Sequence, residues 1–344
     1  MTTSNIASPA APLLSVRHLC VQIPTRHGPL TALDDVSFDI ARGEILGFVG
    51  ESGAGKSITG MAVLGLLDPP AHVAAGEIIF DGQPIHGLPA AQMRRLRGRR
   101  IGAIFQDPLL SLNPLLTVGD QLTETMRTHL PMSREEARER AVEWLRQVGI
   151  PSPAERVDAY PHQFSGGMRQ RIVIALALCA EPDLVIADEP TTALDVSVQA
   201  QVLELLRTQC RERGTAVLLV THDMGVISEN ADRVAVMYAG HIAETGPVDQ
   251  IVNQPRHPYT RGLMGSIPPV DQDTLWLQQI DGAMPRLSAR PTGCPFHPRC
   301  KHATEQCVTT RPMPHPEGVA LVACWHPQQG MATAGAAGVA EVAA

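Results

Sequence analysis

Short apolar runs bounded by glycine turns alternate along this chain with longer stretches of helical spacing. Leu14 to Ile23 alternates loosely and reads as a strand, and Val36-Ser37-Phe38-Asp39-Ile40 alternates strictly, as a half-exposed strand does. Glu44 to Val49 is mostly apolar and short enough for a buried strand, and the run 58–67 beyond it predicts a helix. Glu77-Ile78-Ile79-Phe80 before Asp81-Gly82 gives a further strand and turn, and Ile101 to Phe105 another strand, ending at Gln106. Leu184-Val185-Ile186-Ala187 and Val217-Leu218-Leu219-Val220 are wholly apolar and are separated by a helix with Val198, Val202, Leu205 and Gln209 at one-face spacing. Unbroken apolar strands joined through helices predict a parallel sheet covered on both faces.

Residues 117–160 change character. Ser133-Arg134-Glu135-Glu136 fits a helix capping box, Ala137, Ala141, Trp144, Leu145 and Val148 follow with helical spacing, and Gly149 ends the helix. This predicts a helical insertion between the two halves of the sheet. The five arginines from Arg94 to Arg100 read as a solvated basic helix face. After Tyr238 the sheet signal ends, and from about residue 255 prolines accumulate without periodicity. Residues 1–12 are small and polar and 329–344 almost all Gly, Ala and Val, so both ends are expected to be disordered.

Composition narrows the partners. A chain of 344 residues suggests one large or two unequal domains, and 44% hydrophobic content is ample for a core. A formal charge of −7 gives no net pull toward nucleic acid, and 3% aromatics leave little for base stacking. The longest apolar run, 172–180, is nine residues and cannot span a bilayer. No targeting segment is visible in the first dozen residues. The expectation is a cytoplasmic protein that reaches any membrane through a partner.

Candidate chemistry begins at Gly50-Glu51-Ser52-Gly53-Ala54-Gly55-Lys56-Ser57, which fits G-x-x-x-x-G-K-[ST] between a predicted strand and helix. Glycines let successive backbone N–H groups wrap an anion, and the helix start adds unpaired donors. Lys56 supplies a mobile positive charge for the outer phosphates, and the Ser57 hydroxyl a hard oxygen for Mg²⁺. The strand 184–187 delivers Asp188 and Glu189 to the same sheet edge. Asp188 is placed to hold Mg²⁺, and Glu189 to orient and deprotonate a water in line with the γ-phosphate. His222 and Gln106 end strands by the same logic, the first as a γ-phosphate donor, the second as a sensor of metal or water. Ser165-Gly166-Gly167-Met168 opens an apolar helix and forms a second anion-binding helix start. One ATP needs one cradle, so the second suggests service to a nucleotide on another subunit.

Together these residues resemble the ATP-binding subunit of an ATP-binding-cassette (ABC) transporter, with its motifs in order over residues ~14–250. Gly50–Ser57 is similar to the Walker A loop, Gln106 to the Q-loop, and Ser165–Met168 to the signature. Asp188-Glu189 closes Walker B, Ala193-Leu194-Asp195 resembles the D-loop, and His222 the switch histidine. The resemblance implies a P-loop NTPase-like α/β domain over 13–254: a mostly parallel core sheet, an N-terminal antiparallel β subdomain and a helical subdomain about 107–180. It also implies a head-to-tail dimer in which Walker A of one subunit and the signature of a second ATPase subunit, identical or homologous, enclose ATP. Phe164 and Met168 depart from the family's usual Leu and Gln. Where an aromatic usually stacks on adenine, the stretch 24–33 offers only His27 or Leu30.

The C-terminal segment 255–328 narrows the resemblance. Pro255-Arg256-His257-Pro258-Tyr259-Thr260 and Gly293-Cys294-Pro295-Phe296-His297-Pro298-Arg299-Cys300 resemble the extension of the oligopeptide, dipeptide and nickel importer ATPases. Cys20, Cys179 and Cys210 are most simply packing residues. Cys294, Cys300, Cys307 and Cys324, spaced C-x5-C-x6-C-x16-C, suggest a metal site; iron–sulfur, zinc and free thiols all remain open on spacing alone. The resemblance implies a [4Fe–4S] cluster, which would staple a Pro-rich segment with little core of its own. It further implies two membrane permease subunits, an extracytoplasmic substrate-binding protein, and a peripheral position on the cytoplasmic face of the inner membrane. The rival is a non-transport ABC ATPase acting in DNA repair or on ribosomes. Such proteins usually carry long coiled-coil insertions or tandem cassettes, and this chain has neither. A metal-sensing regulator built on the cysteines lacks any DNA-reading motif.

Overall fold

Two sheets divide the apolar runs between them. A computed structural model describes residues 11–191, 194–266 and 279–328; the segments 1–10 and 329–344, expected to be disordered, lie outside the described residues. The strands are β1 (Leu14–Ile23), β2 (Leu30–Ile40), β3 (Ile45–Val49), β4 (His72–Phe80), β5 (Gln83–Pro84), β6 (Ile101–Ile104), β7 (Leu184–Asp188), β8 (Ala216–Val220), β9 (Arg233–Tyr238), β10 (His241–Pro247), β11 (His315–Glu317) and β12 (Ala320–Val322). The smaller sheet, β2-β1-β4-β5, is antiparallel at every pairing. The larger runs β11-β12-β10-β9-β3-β8-β7-β6. It is parallel from β9 to β6 and antiparallel from β9 outward to β11. Every residue of β3 and β8 is buried, as strands with no polar face must be. Parallel strands end at one edge, so the residues after β3, β6, β7 and β8 meet there.

The helical insertion forms as its spacing predicts. Ser133 caps helix Arg134–Gln147 in a reciprocal box with Glu136, and Ala137, Ala141, Trp144 and Leu145 are buried. In helix Val196–Arg213 the buried face is Val202, Leu203, Leu206, Gln209 and Cys210, turned slightly from the predicted Val198–Leu205 stripe.

The arginine cluster differs from its reading as a solvated face. Arg94 and Arg95 are exposed, but Arg97 donates to the carbonyls of Leu64 (2.7 Å) and Gly65 (2.8 Å), and Arg99 to that of Ala180 (3.2 Å). These carbonyls end the helices Lys56–Leu64 and Gly166–Leu178, where backbone acceptors lack partners. Arg100 pairs with Asp81 at 2.8 Å and with Asp183.

The sheet also continues past Tyr238. β10 adds antiparallel to β9, and β12 from the C-terminal segment adds to β10. Glu244 on β10 is fully buried and accepts from the backbone N–H of Arg256 (2.8 Å) and His257 (2.9 Å), which pins the start of the extension. Tyr259 and Phe296 then stack edge-on against Tyr238, with ring centres 4.6 and 5.2 Å away. Arg311 reaches Asp34 (2.8 Å) and Asp35 (3.1 Å) on β2. Phe296, Cys294, Cys307 and Val322 belong to the same buried cluster as Val236 and Tyr238. The extension thus takes its core from the ATPase sheet edge.

Candidate functional site

The glycine loop follows from the end of β3. At Gly50 the chain turns with φ +149°, and a Cβ there would lie 2.2 Å from the Met237 carbonyl oxygen, so no other residue fits. Ser52 and Gly53 are exposed at the crest of the loop, while Ala54, Gly55 and Lys56 are buried where the helix begins. The Lys56 ammonium is held inside the loop, donating to the carbonyls of Gly50 (2.7 Å) and Glu51 (3.1 Å).

The acidic pair arrives from β7. Ser57 Oγ donates to Asp188 Oδ1 at 3.0 Å, which joins two hard oxygen donors from positions far apart in sequence. Glu189 has φ +47°, a backbone conformation that non-glycine residues avoid, and its N–H is fixed by Val220 O at 2.8 Å. This turns its carboxylate between Gln106, which donates to Oε2 at 3.0 Å, and His222, whose Nδ1 lies 3.2 Å from Oε1. The structure therefore gathers Lys56, Ser57, Gln106, Asp188, Glu189 and His222 at one sheet edge.

The electrostatics of this edge are unbalanced in a telling way. Burial pushes the Asp188 pKa up, against the Ser57 hydrogen bond; the Glu189 charge pushes the same way and Lys56 opposes it. Burial pushes Lys56 down, against the attraction of Glu189, Asp188 and Glu51. A divalent cation beside Asp188 and an anion beside Lys56 would relieve both. The Ser57–Asp188 oxygen pair, with the Gln106 amide nearby, fits Mg²⁺.

The second helix start is differently placed. Ser165 Oγ accepts from the Met168 N–H at 3.3 Å and caps helix Gly166–Leu178. That helix packs on β6 and on the helices Pro108–Ser111, Val118–His129 and Arg134–Gln147. Ser165 and Gly166 are exposed, a Cβ on Gly166 would meet nothing within 4 Å, and one on Gly167 would touch Leu194 at 3.4 Å. Asp195 caps the next helix, accepting from Val198 N–H at 3.0 Å, while Ala193 lies outside the described residues. Among the described residues no hydrogen bond or ion pair joins 165–168 to the glycine loop. His27 and Leu30, the candidates for stacking on a base, stand on and at the end of an exposed loop.

Cys294, Cys300, Cys307 and Cys324 line one small pocket with His257, Phe296 and His326. Burial pushes the Cys294 thiol up to about 11 and Cys324 up to about 12, and the other three sulfurs add to the second shift. The His326 N–H points to Cys324 Sγ at 3.4 Å, and Thr304 Oγ1 lies 3.6 Å from Cys307 Sγ. Among the described residues, no three His, Cys, Asp or Glu side chains are grouped tightly enough to hold a single metal ion. The four sulfurs thus share one pocket with histidine side chains, and thiolate and imidazole are both donors that soft metals accept.

Two functional neighbours of the loop escaped the sequence reading. Tyr259 OH accepts from the Glu51 N–H at 2.9 Å, and Arg299 pairs with the Glu51 carboxylate at 2.9 Å. The available signal was Glu51 itself, since a carboxylate in an anion-binding loop calls for a nearby cation.

Comparison with known proteins agrees with this geometry. The ABC transporter family model matches residues 33–192, and the oligopeptide/dipeptide transporter C-terminal region matches 243–307. The dipeptide transport ATP-binding protein DppD of Bacillus subtilis is 51% identical over 301 residues, covering 87% of this chain and 90% of the relative. A putative peptide import ATP-binding protein of Brucella abortus is 48% identical over 308 residues, covering 90% and 93%. Among solved structures, a dimeric ATP-binding cassette in a post-hydrolysis state with ADP and Pi matches with TM-score 0.63 and 28% identity, over 68% of this chain and 98% of that one.

Proposed function

This chain belongs to the ATP-binding proteins of ABC transporters, in the peptide-import group, and on that premise we propose how it works and with what. It hydrolyses ATP to drive import of dipeptides, oligopeptides or related solutes such as nickel complexes. The observation that carries this reading is the Glu189 carboxylate held between Gln106 and His222, beside the Ser57–Asp188 pair.

Residues 50–57 wrap the phosphates, with Lys56 on the outer ones. Ser57, Asp188 and Gln106 would hold Mg²⁺, which would supply charge neutralisation at the phosphates. Glu189 takes the proton of the attacking water, and His222 orients Glu189 and donates toward the γ-phosphate. Ser165, Gly166, Gly167 and Met168 face the nucleotide of a second ATPase subunit, with Asp195 at the junction. The exposure of Ser165 and Gly166 supports this, because it leaves the helix start open to another chain.

The partners are that second ATPase subunit, two permease subunits and an extracytoplasmic substrate-binding protein. Among the described residues no helix is long and apolar enough to cross a membrane; the chain acts peripherally, at the cytoplasmic face, through its permease partners. Leu109, Leu110 and Leu115, 61%, 87% and 82% exposed directly after Gln106, support permease docking on the helical subdomain. Cys294, Cys300, Cys307 and Cys324 would hold a [4Fe–4S] cluster, with zinc as the alternative. Their convergence on one pocket supports a metal centre of either kind.

The test is co-purification of tagged wild type and Glu189→Gln from native membranes with ATP, followed by iron and sulfide analysis. Two permease subunits, tighter ATPase pairing in the variant and about four irons per chain are expected. Nucleic acid or ribosomal proteins in their place would overturn the importer reading.

A further inference from the structure

Glu51 poses an electrostatic problem. It is the second residue of a loop that cradles polyphosphate, and its charge has the wrong sign. The loop uses it as a pivot. Its carbonyl accepts from Lys56 Nζ (3.1 Å), its N–H is taken by Tyr259 OH (2.9 Å), and its carboxylate is met by Arg299. Arg299 comes from the extension, one residue before Cys300. Its Nη1 reaches both Glu51 oxygens, at 2.9 and 3.1 Å, and its side chain is only 7% exposed.

The guanidinium is fixed on every side. Nε donates to the Asp281 carbonyl (2.7 Å), Nη2 to those of Ile280 (3.3 Å) and Gly282 (3.4 Å), and Nη1 also to Tyr238 OH (3.3 Å). It lies 5.8 and 5.9 Å from the ring centres of Tyr238 and Phe296. Tyr259 is fully buried. Such a fixed fork cannot follow a mobile partner, so Glu51 is held where Arg299 stands.

We propose that Arg299 is a positioning residue of the nucleotide site. It neutralises and anchors Glu51 and thereby sets the loop carbonyls that aim Lys56. The C-terminal extension thus governs ATP affinity through one ion pair. This inference rests on the reading of residues 50–57 as the ATP loop.

Charge logic separates positioning from mere support of the fold. Arg299→Gln leaves the Glu51 charge uncompensated beside the phosphates. Glu51→Gln added to it removes that charge and leaves two amides of matching size. ATP binding to the full chain, measured calorimetrically with Mg²⁺, is expected to weaken about tenfold in Arg299→Gln and to return within about threefold of wild type in the double variant. If the arginine only supports folding of the extension, the second substitution cannot rescue binding. Unchanged affinity in Arg299→Gln, or a double variant no better than the single, overturns the proposal. A wild-type chain that binds no ATP would instead overturn the reading of the loop and the clasp with it.

Discussion

The chain carries two glycine-led helix starts, and they are built in opposite ways. The start at Gly50–Ser57 is clasped: Lys56 is buried in its own loop, Ser57 is bonded to Asp188, and Glu51 is gripped by Tyr259 and Arg299. The start at Ser165–Met168 is bare, capped by its own serine and with open space over Gly166. Both offer unpaired N–H groups to an anion. The first gathers a buried lysine, an oxygen pair and a carboxylate; the second has, among the described residues, the Arg156 guanidinium against Met168 Sδ (3.8 Å) and no carboxylate bonded to it. A motif that is complete only opposite a copy of the first has no reason to carry its own lysine or carboxylate. The asymmetry is what a composite site between two subunits requires.

The comparison breaks most easily on the clasped side. Glu189→Gln should lower ATP turnover by roughly 10²–10⁴-fold while leaving ATP binding intact. Steady-state phosphate release beside equilibrium nucleotide binding checks this, and comparable loss of both would mean that Glu189 holds the site together.

A smaller effect comes from the anchor behind the clasp. Glu244→Ala orphans the N–H groups of Arg256 and His257 in a buried place, which should destabilise the chain by roughly 2 kcal/mol or more. Denaturant unfolding measures it, and a midpoint like that of wild type would show that the extension is held elsewhere.

The smallest effect is a pH slope. His241 packs beside Asp34, Arg290 and Arg311, and burial, with help from Arg290, pushes its pKa down to about 4. An unfolded histidine titrates near 6.5, so between these values the unfolded chain binds the extra proton. Stability therefore rises with pH through this window and is lost on acidification, by at most about 1.4 kcal/mol per pH unit for one group. Thermal unfolding at several pH values should show a shallower acid limb in His241→Asn than in wild type.

How much of this was legible depended on what each residue had to announce. The gathering at one sheet edge was legible because each part ends an apolar strand, and parallel strands bring their ends together. Gln106, Asp188, Glu189 and His222 needed no knowledge of side-chain contacts. The packing of the extension was illegible for the opposite reason. β11 and β12 have three residues each, too short for a period, and β12 pairs with Glu244 and Thr245 of β10, which read as polar although both are buried. Arg97 reads as surface charge because the helix-end carbonyls it bonds leave no mark in sequence, whereas Arg99 is exposed as that reading expects. Glu51 was the exception: it sat in plain view inside the motif, and its partner lay 248 residues away.

The account stands on the bare helix start being used in trans. Gly166→Val tests it directly, because a Cβ at this position meets nothing within 4 Å in this chain. ATP affinity of the isolated chain and ATP-driven pairing with its companion ATPase subunit, itself or a homologue, would be measured together. The prediction is unchanged affinity with pairing and turnover lost. Pairing and turnover like wild type would contradict it, as would a loss of affinity in the unpaired chain, which would place the signature at its own chain's nucleotide.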